Sequence, residues 1–513
     1  MSEETLQAAP FPKAGRGVVL VFCLLFVSVM LFFSLSAVHA KPVENWWIAR
    51  DPENPLKAYI FLRSYIHEEP FHLLWGFEGL RRLPAFGSLL AAGLILLSLV
   101  LSLLKSPPNG RVRFPGTGLP ASTVLRYALV VVLSCIVFFT LRVSYADNRL
   151  FGDAYGLPGQ AEDGFVSSSE ILTRLSFNGI TLLLNAFSVK QPGYYAIVIV
   201  SCLAGGLFLM GIMAIGNRIA EEAGERALLF IALVGIGTVL QFFGYIETTA
   251  LELSFMGLFF ASALQAIYHR DKTTRWLWAA MGTIGLALLS HAAGLLLMPA
   301  LFALLLVREG AAVGLCTRLK ALMRADRVIP FMLLVVLPFL LALFPYFFRG
   351  APGDAVGGGD HIPFVLLKNV DYAHRPSEYI NYDMFSFWHL TDILSAFIAG
   401  APTSLPLLLV SAILRARAKE ALPAQERQAL WLLGTAAVSC TLIPIIWNHD
   451  YGIWGDWNIA TTYLFPLHAF SWVLFLFSAR RFKRDFRYYF GLVIPLLITQ
   501  GIGLLGLALQ FYG

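Results

Sequence analysis

The chain has 513 residues, 58% of them hydrophobic and only 14% charged, with a mean hydropathy of +0.70. That composition excludes a soluble globular domain before any motif is read. The formal net charge of +6 does not signal nucleic acid, because the Lys and Arg gather in short loops between apolar runs, where they suit anionic lipid headgroups.

Apolar runs near the ~20 residues that cross a bilayer recur along the whole length. The spacing predicts an all-α polytopic membrane protein of about thirteen transmembrane helices. They fall near 17–40, 86–104, 126–145, 193–215, 227–244, 248–268, 276–290, 293–307, 328–348, 391–414, 428–447, 459–479 and 488–511. The first run, Val18 to Ala40, follows Lys13 and Arg16 and reads as a retained helix, being long for a cleaved signal. Residues 1–125 read as a two-helix membrane segment with an interfacial loop, 126–480 as a transmembrane core, and 481–513 as a last helix. The hairpin over 276–307 looks short for a full crossing. Four of the five cysteines fall in apolar runs, and none has disulfide or metal spacing.

Loops rich in Lys and Arg alternate with loops at 41–85, 146–192, 349–390 and 448–458 that hold most of the carboxylates. The positive-inside rule puts the basic loops, above all "ARRFKRDFR" at 479–487, in the cytoplasm and the acidic ones outside. Two outer loops carry amphipathic stretches suited to helices lying in the interface. In the second, Ser167, Ser168 or Ser169 can cap a helix that has Glu170 in its first turn, with Ile171, Leu172, Leu175, Leu182, Leu183 and Phe187 as its apolar face.

The candidate chemistry lies on the acidic side. "LFGDAYGLPGQAEDGF" at 150–165, with Asp147 before it, supplies Asp153, Glu162 and Asp163 beside Arg149 and Arg174. Such carboxylates can deprotonate a hydroxyl, and an Arg can neutralise a phosphate; equally, charges keep a loop solvated. Glu247 falls at a junction of two spans and Glu252 about a turn deeper, where an ionisable group is costly and marks either function or a pairing with a neighbouring helix. His291, in "LLSHAAGLLLMPAL", stands at the outward turn of the short hairpin. The loop from 357 adds Lys368, His374 and Arg375 among aromatics, and "NHDYGIWGDWN" at 448–458 adds Asp456. No phosphate-binding loop, dinucleotide fingerprint, nucleophile elbow or His-Glu-x-x-His site occurs. A membrane enzyme acting outside, where nucleotide donors are scarce, needs a donor carried in the lipid.

The strings "FGDAYGL", "SSSEILTRL", "FGYIETTALELSFMGL", "LLSHAAGLLLMPAL", "DMFSFWHLTDIL" and "GIWGDWNIAT" resemble a bacterial branch of the GT-C superfamily of integral-membrane glycosyltransferases, over about residues 126–480. The sequence departs from that pattern in having two spans before the acidic loop, in lacking the oligosaccharyltransferase string Trp-Trp-Asp-Tyr-Gly, and in having no soluble domain after the bundle. The resemblance implies transfer of a sugar from a polyprenyl-phosphate donor to an acceptor hydroxyl on lipid, glycan or protein, at the outer face of a bacterial inner membrane. It implies Asp153 as general base with Asp163 as second choice, inversion at the sugar, and Arg149, Glu247, His291, His374, Arg375 and Asp456 as substrate-binding residues. No cofactor is demanded; a divalent metal stays open, since this many carboxylates could hold one. Among other classes, a secondary transporter or flippase, a polysaccharide polymerase or ligase, and a non-catalytic assembly partner remain as alternatives.

Overall fold

Long apolar stretches without early breakers become long helices. Pro192, whose missing N–H suits a first turn, starts the helix Pro192–Ile219 after Gln191 takes a left-handed conformation. At 28 residues it is about 42 Å long, enough to cross a bilayer. The computed structural model of the protein describes residues 156–269, 273–307, 324–341, 384–385, 387–417, 421–447, 457–481 and 486–512. The expected spans at 17–40, 86–104 and 126–145 lie outside the described residues.

In chain order the helices are α1 (Leu157–Glu162), α2 (Ile171–Ala186), α3 (Pro192–Ile219), α4 (Ala223–Val234), α5 (Ala250–Tyr268), α6 (Thr273–Ser290), α7 (Met298–Val307), α8 (Ala325–Phe331), α9 (Phe387–Gly400), α10 (Ser404–Arg417), α11 (Ala424–Ile446), α12 (Trp457–Arg480) and α13 (Phe486–Tyr512). Every regular element among the described residues is helical. Four of these helices, α3, α5, α11 and α12, are individually long and apolar enough to cross a membrane, and α9 with α10 can make one bent span. The protein is a multi-pass membrane protein.

The core is α5 packed between α3 and α6, with α12 against α11 and α10. Burying apolar surface gives little drive between helices in lipid, so close backbone approach matters more. At the α3–α5 crossing a Cβ on Gly211 would lie 2.9 Å from the carbonyl carbon of Gly257. Phe208, Phe242, Phe260 and Phe465 stack around this crossing with ring centres 5.1–6.2 Å apart.

Two expected spans are interrupted. The run 227–244 is the helix α4 followed, after Gly235 and Ile236, by a tight 3-10 turn at Gly237–Phe242. The run 391–414 bends by 73° between α9 and α10, at Ala401-Pro402-Thr403. Glycine and proline account for both breaks. Backbone groups freed inside a membrane need partners. Here the Ala232 carbonyl accepts from Gln500 Nε2 at 2.7 Å and from His468 Nε2 at 3.0 Å, and Trp472 Nε1 donates to Thr403 Oγ1 at 3.0 Å. Periodicity alone could not see either break, because the apolar pattern runs through them. The hairpin after Thr273 is short, as its sequence suggests: α7 has ten residues.

At the basic end, Arg480 joins three helix ends. It pairs with Glu225 at 2.5 Å and Glu221 at 3.3 Å, and donates to the Ile219 carbonyl at 2.7 Å. Arg481 pairs with Glu426 at 2.7 Å. Residues that read as a simple topology anchor therefore also fasten α3, α4, α11 and α12 together.

Helix α2 lies where the interfacial helix is expected. Leu175, Leu182, Leu183 and Phe187 are exposed, while Thr173, Arg174, Phe177 and Thr181 turn inward. The outward apolar face suits the headgroup boundary, and the inward face carries the polar groups described next.

Candidate functional site

At the acidic end the turn before α2, the 243–249 segment before α5, the turn after α6 and the start of α12 meet. Each is a helix end or a break, which is why polar groups from four distant parts of the sequence converge there. Thr173 Oγ1 fastens α2 to the end of α6 by donating to the Ser290 carbonyl at 2.9 Å.

Glu170 closes one side. Its Oε2 accepts from Arg174 Nε at 2.8 Å, one helical turn on, and its Oε1 accepts from Thr248 Oγ1 at 2.6 Å. Arg174 also donates from Nη1 to Gln160 Oε1 at 2.7 Å, tying α1 to α2. Charge-assisted bonds of this kind are short and strong.

Deeper in, Glu252 is completely buried in the first turn of α5. Tyr463 donates its hydroxyl to that carboxylate, 2.7 Å from Oε1 and 2.8 Å from Oε2. The imidazole of His291 stands between the two acids: Nε2 is 3.9 Å from Glu170 Oε1, and Nδ1 is 3.5 Å from Glu252 Oε2. The backbone N–H of Ala293 reaches Nδ1 at 3.3 Å, which favours the tautomer with its proton on Nε2. Burial pulls His291 below the usual imidazole range and Arg174 adds to this, while Glu170 opposes it.

A second, uncharged set adjoins it. Gln241 donates to the Asn458 carbonyl at 3.0 Å and to Thr462 Oγ1 at 2.9 Å, and its Oε1 accepts from Thr249 Oγ1 at 2.7 Å. Asn458 Nδ2 donates to Thr249 Oγ1 at 3.2 Å. Ser201 of α3 donates to the Gln241 carbonyl. Together these bonds hold the unwound 237–249 segment against α12.

Of the residues expected to matter, Arg149, Asp153, Lys368, His374, Arg375 and Asp456 lie outside the described residues. Asp163 is exposed at the end of α1. Its neighbour Glu162 accepts from the Gly193 N–H at 3.2 Å and so caps the start of α3. Glu247 is 9% exposed and accepts from the Thr248 N–H at 3.3 Å, beside the hydroxyl that reaches Glu170. His291 and Glu252 come together as neighbours. Sequence reasoning took Glu170 for a helix-start residue and gave Tyr463, Thr248, Gln241 and Asn458 no role. The available signal for Glu170 was its spacing of four from Arg174. Tyr463 sits in an apolar run and offers none.

Among the described residues no group of three or more His, Cys, Asp and Glu could hold a metal ion. The residues here fit proton handling and hydrogen bonding to hydroxyls.

Fold and site together define a polytopic α-helical membrane protein with an acid–imidazole network buried at one end. No protein-family model and no curated protein sequence matches the chain. Among solved structures it is similar to ArnT from Cupriavidus metallidurans bound to undecaprenyl phosphate, at 16% identity and TM-score 0.43, covering 73% of this chain and 63% of that one. The apo state of the same protein matches at 17% and 0.43 over the same shares, and the apo oligosaccharyltransferase of Archaeoglobus fulgidus at 14% and 0.42, covering 75% and 56%. The chain spans less than two thirds of the length of each.

Proposed function

We propose that the protein is a membrane glycosyltransferase that moves a sugar from a polyprenyl-phosphate donor to an acceptor hydroxyl. The observation that carries this reading is the buried Glu170–Arg174–His291–Glu252 network, which Arg174 ties to α1 through Gln160. The motif pattern of the sequence, with its acidic loop and interfacial helix, supports it. On this reading the acidic end faces the outside of a bacterial inner membrane, as the positive-inside rule has it.

In the proposed step Asp153, or failing it Asp163, removes the acceptor proton while the acceptor oxygen attacks the anomeric carbon from the face opposite the leaving group. The lipid phosphate departs with its bonding pair and the sugar inverts. Phosphate leaves readily, so the protein mainly positions it and neutralises its charge. Arg149, Lys368, His374 and Arg375 are the proposed cations, and Glu247, His291 and Asp456 shape the pocket for sugar or acceptor. The acceptor is a lipid, glycan or protein, and membrane lipids are the surrounding partner.

The purified protein in lipid, given labelled polyprenyl-phosphate sugars and membrane acceptors, tests this. Asp153→Asn or Asp163→Asn should lower transfer by at least ~10²-fold, the loss of a general base. No loss from either removes the assignment.

One observation favours a second reading. Interrupted helices that meet inside a bundle are a feature of secondary transporters, and the break after α4 adjoins α9, with Gly237 packed on the Ala399 carbonyl. However, Gln500, His468, Thr403 and Trp472 occupy the polar groups of the breaks, so transport ranks second. Substrate flux in vesicles without transfer would reverse the order.

A further inference from the structure

Glu252 is wholly buried, and among the described residues the cation-forming side chain within 4 Å of it is His291. An isolated carboxylate at membrane depth is costly. Glu252 is therefore either protonated beside a neutral imidazole or ionised beside an imidazolium. Both states carry the same number of protons. Tyr463 serves the ionised state, because its hydroxyl points at both carboxylate oxygens. The Ala293 N–H serves the neutral ring by donating to Nδ1. Each form thus has its own built-in partner.

We infer that Glu252 and His291 hold one proton between them and exchange it from Oε2 to Nδ1, so that His291 faces Glu170 either as a neutral ring or as an imidazolium. The O–H bond of Glu252 breaks and the Nδ1–H bond forms; no electron is transferred, and a neutral pair becomes an ion pair. The groups facing the dyad are Glu170 and Arg174 from the α2 side, Tyr463 from α12, and the Cys440 thiol from α11, which feels the Glu252 charge. In the imidazolium form the ring lies between two carboxylates, with Nε2–H toward Glu170. Resting on the glycosyltransferase reading, the dyad supplies an adjustable dipole, its imidazolium end toward Glu170, at the end where the departing phosphate gains negative charge. His291 and Glu252 are then positioning residues, acting through Glu170 and the local field.

Infrared spectroscopy of the full-length protein in lipid tests the dyad without any substrate. Between about pH 5 and 8, the wild type should show a protonated-carboxyl C=O band of partial intensity, because part of the population holds the shared proton on Nδ1. Glu252→Gln should abolish that band. His291→Gln should fix it at full intensity, since the proton has no second site. Tyr463→Phe should strengthen it, and decides the matter should Glu252→Gln fail to fold. A band of equal intensity in wild type and His291→Gln, or one that survives Glu252→Gln, overturns the proposal. In the transfer assay Glu252→Gln should lower kcat by about 10–100-fold with KM nearly constant, and flatten its pH profile. If the wild type transfers nothing from any lipid-linked sugar, the glycosyltransferase reading fails while the infrared result still decides the dyad.

Discussion

Arg174 donates to Glu170 at 2.8 Å across one turn of helix, with the two side chains only 9% and 11% exposed. Removing one partner of such a pair strands a buried charge, at a cost of about 3–5 kcal/mol. Arg174→Met should therefore lower thermal stability in detergent sharply, and its Nη1 bond to Gln160 means that α1 loosens with it. The double variant Glu170→Gln with Arg174→Met should recover part of the loss, because no unpaired charge remains. Additive losses would mean that the two residues do not act as a pair.

Glu162 and Asp163 are adjacent but separable. Glu162 accepts from the Gly193 N–H at the start of α3, while Asp163 is exposed. Glu162→Gln should cost about 0.3–1 kcal/mol through the helix start and leave transfer nearly intact. Asp163→Asn should leave the melting temperature unchanged; under the proposed function, a transfer loss would put the base there and an unchanged rate would favour Asp153. Melting curves and transfer rates on the two variants distinguish the roles.

Helices, the interfacial face of α2 and the polar rim at His291 were legible in the sequence because each is a local pattern. The site was legible only in pieces. Glu252 stood out as a charge in an apolar run, and His291 as a hairpin turn. Their common partner Tyr463 lies 211 residues from Glu252 and 172 from His291, and nothing in its own run of apolar neighbours distinguishes it. Thr248 and Glu170, 78 residues apart, meet because the 243–249 segment is not helical; the junction at Glu247 was legible between two expected spans, but not the residue it turns toward. Long-range closure of a bundle is set by packing, which leaves no periodic trace.

Packing in α6 gives an internal control. A Cβ at Gly285 would fall 1.8 Å from the Leu334 carbonyl oxygen, in the widened π turn Met332–Val336 after α8, whereas one at Gly282 meets nothing within 4 Å. Backbone cannot yield as a side chain end can. Gly285→Ala should cost at least ~1–3 kcal/mol by overpacking, while Gly282→Ala should be neutral or stabilise by up to about 1 kcal/mol through helix propensity. Equal melting temperatures for the two would mean that α6 and the π turn Met332–Val336 do not approach this closely.

Burial holds His291 below the usual imidazole range of about 6.5, and this fixes the sign of a pH effect. Between the depressed folded value and the ordinary one, the unfolded chain binds more protons than the folded chain. Stability then rises with pH through that window, is fully present above ~6.5, and is lost on acidification. The groups that set it are Glu170 and Arg174, with Glu252 and Tyr463 in contact on the Nδ1 side. Melting temperatures taken from about pH 7.5 down to 5 should fall for the wild type, and fall less for His291→Gln, which cannot take up the proton. Parallel slopes for the two proteins would place the acid-sensitive group elsewhere. A slope steeper in the variant would mean that the folded imidazole is charged already, held so by the carboxylates on either side of it.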